Sequence, residues 1–106
     1  MPQVIFNFAR DLKFSRFTID VLLQRISQFH APRHRAAHEC ESFIGQTQER
    51  VTACDRLHNE LCQQFYRARS WDSGSIESIS ARFEELHRWI ADSIASLNSF
   101  EKGKAS

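Results

Sequence analysis

The side chains best suited to chemistry gather near the first third of the chain. His30, His34 and His38 repeat every four residues, and Glu41 follows three after the last of them. On a helix His34, His38 and Glu41 would share one face, the arrangement by which two histidines a turn apart hold a zinc-like cation. Arg33 and Arg35 are interleaved with them, and their charge opposes a cation. The run His34-Arg35-Ala36-Ala37-His38 also lacks the glutamate that a zinc hydrolase places between its histidines. The alternative to a metal site is a solvated helix face.

A second constellation is the pair Asp55-xx-His58 and Glu84-xx-His87. A chain reversal near Asp72 would bring the two level, as in helical di-iron proteins, which add a glutamate from each of two further helices. The first segment would have to supply such a glutamate near residues 3–7, where it reads Gln-Val-Ile-Phe-Asn. His58 therefore reads as a core histidine and His87 as a boundary residue.

Cys40, Cys54 and Cys62 are odd in number and lack CxxC spacing, so free thiols and a cytoplasmic location are expected. No glycine-rich phosphate loop, GxSxG elbow or Ser/His/Asp set occurs, and the reading is a protein without catalytic residues or a cofactor. Arg10, Lys13, Arg16 and Arg25, with Arg33, Arg35, Arg67 and Arg69, could meet phosphates. Against that, 14 basic residues face 13 acidic ones for a net charge of +1, which disfavours nucleic acid as a partner.

These residues have to be positioned by helices. The 106 residues are 42% hydrophobic and 25% charged, with 3 glycines and 2 prolines, a composition for one folded domain (1–106) with few helix breakers. The apolar runs are far shorter than the ~20 residues of a membrane span, and no signal peptide or membrane partner is expected.

The predicted architecture is all-α: an antiparallel three-helix bundle with coiled-coil-like heptad packing, a long central helix, and dimerisation. Its helices are placed at about 3–29, 32–70 and 75–102. In the first, Ile5, Phe8, Leu12, Ile19, Leu22, Ile26 and Phe29 keep steps of three and four, with Ser15 filling the missing step. A break near Lys13–Ser15, or a short strand or extended arm at the start, is the alternative for residues 3–14.

The second seam runs Ala37, Cys40, Ile44, Thr47, Val51, Cys54, His58, Leu61, Phe65 and Ala68. Gly45 within it marks a kink or a close helix approach. The third is Ile76, Ile79, Phe83, Leu86, Ile90, Leu97 and Phe100, with one polar stop at Ser93. Asp72, Ser73 or Ser75 can cap it. Phe65, Tyr66, Trp71 and Ile76 form an aromatic cluster that closes the bundle's end.

One apolar set is left over. Phe14, Phe17 and Val21 repeat at helical spacing on the side opposite Leu12 and Ile19, while Trp89 and Ile94 flank the third seam. These five are the predicted partner-binding residues. The function expected is a non-enzymatic protein–protein interaction module, such as a small adaptor, chaperone or inhibitor, binding a protein partner or its own copy. A metal-binding helical protein using His34, His38 and Glu41 is one alternative, and a nucleic-acid-binding accessory protein is another.

Overall fold

The three–four spacing of apolar residues from Ile5 onward produces one uninterrupted helix, α1 (Gln3–Phe29). The computed structural model describes residues 3–29 and 41–105, apart from the side chains of 29, 41–44 and 100–105. Among these residues two further helices follow, α2 (Glu41–Arg67) and α3 (Ser73–Ala105). The fold is all-α: the helices pack against one another, and no strand occurs among the described residues. The body is elongated, 53 × 21 × 18 Å. No described helix is long and apolar enough to cross a membrane.

The core is drawn from all three helices. Phe8, Leu12, Ile19, Leu22 and Ile26 come from α1, Val51, Cys54, Leu57 and Leu61 from α2, and Ile79, Phe83, Leu86, Ile90 and Leu97 from α3. Removing each of Ile19, Leu22, Leu61, Ile79 and Leu86 from water stabilises the fold by roughly 1.5–3 kcal/mol; all five are fully buried. Among the described residues, the polar side chains Ser15, Thr47, His58 and Ser93 share this interior. Ser15 and Ser93 are the two residues that interrupt their seams. Each faces inward, so the interruption is in polarity and not in the direction of the side chain.

Several expectations about boundaries change. The strand or extended arm for residues 3–14 and the break near Lys13–Ser15 give way to continuous α1, in which Ser15 is buried mid-helix instead of capping a new one. The start expected for the second helix lies outside the described residues. Its end comes at Arg67, earlier than the expected residue 70, because Trp71 turns back onto the core. The Trp71 ring lies 5.9 Å from Phe8 and 5.3 Å from Phe65, centroid to centroid. Holding it there requires the chain to leave α2 before it arrives.

Asp72 then starts α3 two residues before the expected position. Its carboxylate Oδ1 accepts the Ser75 N–H at 2.8 Å, and its carbonyl accepts the Ile76 N–H at 3.0 Å. That is an N-cap with the bond to the third helical residue. At the far end α3 runs through Gly103 to Ala105, past the expected stop at 102. Gly45 marks no close approach among the described residues either: a Cβ placed there would meet none of their atoms within 4 Å.

Polar contacts tie the helices in register. Arg16 Nη2 reaches Asp55 Oδ1 at 2.7 Å between α1 and α2. Between α2 and α3 the pairs run in opposite order along the two helices: Arg50 with Ser96 at 2.9 Å, Cys54 with Ser93 at 3.9 Å, and Glu60 with Arg82 at 2.6 Å. Arg25 Nη2 donates to Asn98 Oδ1 at 3.0 Å between α1 and α3. α2 makes the broader contacts with both neighbours, and α1 with α3 the slighter one.

Candidate interaction surface

α1 buries one side and leaves a second apolar side in water. At about 100° per residue, Phe14, Phe17 and Val21 stand well over 90° from the stripe formed by Phe8, Leu12, Ile19 and Ile26. Phe14 and Phe17 are 70% and 69% exposed, against 5% for Leu12 and 0% for Ile19. Val21 is 38% exposed. Phe6 belongs to the same outer side and is 57% exposed. The sequence reading missed it. The signal was present, since Phe6 lies eleven residues before Phe17, three helical turns, but its β-tolerant neighbours drew attention to a strand instead.

Of the two flanking residues on α3, one joins this surface and one does not. Ile94 lines a shallow cleft of about 260 Å³ between α1 and α3, together with Asp11, Phe14, Thr18, His87 and Ala91. Trp89 lies on the other flank of α3, in a groove of about 560 Å³ against α2 with Arg50, Ala53, Asp92 and Ser96. Trp89 is thus separated from Phe14, Phe17 and Val21 by the width of α3. Leu23 and Tyr66, at 37% and 76% exposure, are further exposed apolar side chains. Tyr66 stands edge-on to Phe65 at 5.1 Å, outside the cluster that Phe65, Trp71 and Phe8 form.

The titratable side chains tell a structural story. His58 is buried, with Nε2 3.4 Å from Cys62 Sγ and with Nδ1 lacking a hydrogen-bond partner among the described residues. Burial lowers its pKa first, and the Arg16 charge lowers it further, while Asp55 and Asp20 act the other way. Burial pushes the Cys62 and Cys54 thiols up, and in Cys54 a bond to Ser93 only partly opposes this. Thiols whose pKa is raised by burial are poor nucleophiles. Burial pulls Arg16 down, yet Asp20 and Asp55 hold its guanidinium above the usual value.

His87 is exposed, its ring 6.0 Å from that of Phe83, so the Asp55/His58 and Glu84/His87 pairs do not face one another as a metal box would require. Among the described residues no three His, Cys, Asp or Glu side chains come together to hold a metal. His30, His34, His38 and the Glu41 side chain lie outside the described residues. Of the arginines considered for phosphate contact, Arg16 binds Asp20 and Asp55, Arg25 binds Asn98, and Arg10 lies 3.8 Å from Asp11. Arg67 and Arg69 border a cleft that also holds Asp72, whose carboxylate already occupies the start of α3. Hydrogen bonds from Ser75 and Gly74 hold that carboxylate below its usual pKa.

Compared with known proteins, the chain matches no family model, no curated protein and no solved structure at a significant level.

Proposed function

We propose that this chain is a non-enzymatic protein–protein interaction module, a small helical adaptor, chaperone or inhibitor, that binds a protein partner or its own copy through the outer face of α1. The observation that carries this reading is the exposure of Phe14 and Phe17, 70% and 69%, on a helix whose other side is already buried. Isolated exposed apolar residues are ordinary, whereas several aligned on one face mark an interface. Ile94 extends the face across the α1–α3 cleft; Trp89 offers a separate contact on the far side of α3.

The scaffold for this face is an antiparallel three-helix bundle with heptad packing. The opposed order of the Arg50–Ser96, Cys54–Ser93 and Glu60–Arg82 pairs supports the antiparallel arrangement of α2 and α3. Burial of the consecutive steps Leu12, Ser15, Ile19, Leu22 and Ile26 on α1 supports the heptad register, as does burial of Ile79, Phe83, Leu86, Ile90, Ser93 and Leu97 on α3. The Cys54 and Cys62 thiols are free, which suits a reducing, cytoplasmic setting.

The test is a double substitution, Phe17→Asp with Val21→Asp. Both positions are exposed, so the helical monomer is expected to survive, with an unchanged far-ultraviolet circular dichroism spectrum. Association, measured by light scattering and chemical cross-linking, is expected to disappear. Association at wild-type strength in the double variant would overturn the reading.

A further inference from the structure

The outer face of α1 carries a charge order that fits its own reversed copy. Assigning Phe14 and Val21 to heptad position a puts Phe17 and Arg10 at d, and Lys13 and Asp20 at the flanking position g. All six side chains are exposed. In an antiparallel pair of helices, a residues meet d residues of the other helix and g residues meet g residues. With a two-fold axis between Phe14 and Phe17, each Phe14 meets Phe17 of the second copy and each Val21 meets the aliphatic stem of Arg10. Lys13 then lies beside Asp20 of the second copy, and the symmetry supplies that pair twice.

A parallel pair does not work as well. It stacks Arg10 on Arg10 and Gln24 on Gln24 in the seam and sets Lys13 against Thr18. Asp20 would meet Arg25, which is already bonded to Asn98. Within one chain Asp20 takes both Arg16 bonds on Oδ1, at 3.1 and 2.7 Å, and its side chain stays 62% exposed. The Oδ2 edge is the one that meets lysine.

The area agrees with a second copy of equal size. Taking ~200 Å² per phenylalanine side chain, Phe6, Phe14, Phe17 and Val21 leave roughly 400 Å² of apolar surface open. That is about half of the ~800 Å² that each partner contributes to a standard interface. Arg10, Lys13, Asp20 and Gln24 border the stripe and supply the polar remainder, the usual make-up of an apolar centre with a charged rim.

We propose that α1 pairs with α1 of a second copy of this chain in antiparallel orientation, through a four-phenylalanine centre of Phe14 and Phe17 flanked by two Lys13–Asp20 ion pairs. This rests on the reading of the α1 outer face as the interaction surface and gives that surface one occupant. Replacing either charge by its opposite turns both symmetric pairs repulsive.

The experiment is sedimentation of Lys13→Glu, of Asp20→Lys, and of an equimolar mixture of the two at low salt. Each variant alone is expected to dimerise roughly tenfold more weakly than wild type, because two contacts change sign at once. The mixture is expected to recover wild-type strength as a heterodimer. In it the introduced glutamate of one copy faces the introduced lysine of the other, and the remaining native Lys13 faces the remaining native Asp20. Thermal unfolding of each variant checks that the fold is kept. A Lys13→Ala variant, which removes the charge without repulsion, is expected to fall between wild type and Lys13→Glu.

A dimer that weakens without recovery in the mixture overturns the antiparallel pairing. So does a wild-type chain that stays monomeric throughout. In either case, loss of association with another protein in the Phe17→Asp, Val21→Asp variant would leave the interaction surface itself standing. If that double variant associates as wild type does, the surface reading fails as well.

Discussion

Cys54 Sγ lies 3.9 Å from Ser93 Oγ in the interior between α2 and α3. The serine that interrupts the seam of α3 therefore meets a small thiol, and both side chains are 0% exposed. Ser93 also donates to the Trp89 carbonyl at 2.9 Å, satisfying its hydroxyl within its own helix. The gap in the heptad pattern is a site of close helix approach, filled by two small side chains.

It follows that restoring the apolar pattern should harm the protein. Ser93→Leu is expected to destabilise the fold by about 1–3 kcal/mol through overpacking against Cys54. Ser93→Ala, which removes a self-satisfied hydroxyl, is expected to cost about 1 kcal/mol or less. Denaturant unfolding measures both; a Ser93→Leu chain as stable as wild type would remove the close-approach explanation.

His58 predicts an acid-sensitive limb. Its folded pKa is depressed, so the unfolded chain binds the proton more readily. Its contribution is fully present above the unfolded value of about 6.5, declines as pH falls below that, and is lost once pH passes through the lower folded value. Arg16, Asp20, Asp55 and Cys62 are the titratable and charged groups around it. His58→Leu removes the titration and the unpartnered Nδ1 together. Melting temperature plotted against pH is expected to fall less steeply below about 6.5 in that variant, with stability near neutrality equal to or above wild type. Parallel curves for the two proteins would refute the assignment.

Gly45 gives a stabilising prediction. It is exposed, helical, and has open space where a Cβ would go. Gly45→Ala is expected to stabilise the chain by about 0.5–1 kcal/mol by restricting the unfolded backbone. A loss of stability on denaturant unfolding would point to a contact at this position.

How far the residues revealed all this depends on the kind of feature. α1 was legible from its periodic pattern, Ile5 to Phe29 with Ser15 as the one gap, but residues 3–14 also admitted a strand, an extended arm or a break, and the pattern alone did not exclude them. The junction of α2 and α3 was legible as a turn but not to the residue. Its ends depend on Trp71 docking against Phe8, a contact between residues far apart in sequence. Asp72, Ser73 and Ser75 all have capping chemistry, and only geometry selects Asp72.

The exposure of Phe14, Phe17 and Val21 was legible on α1, where it follows from position around a single helix, though Phe6 on the same side was not read. The surface was not legible on α3, because Trp89 and Ile94 flank the seam on opposite sides. Which flank meets α2 and which meets α1 is set by the hand of the three-helix arrangement, and a seam read along one helix does not carry that information.

The most direct measurement of the central claim is hydroxyl-radical footprinting of the phenylalanine side chains as a function of protein concentration. Tyr66, 76% exposed and carried by α2, serves as internal reference. The account predicts that Phe14 and Phe17 react readily in dilute protein and become protected relative to Tyr66 as the chain associates. Phe14 and Phe17 remaining as reactive in the associated protein as in the dilute one would contradict it.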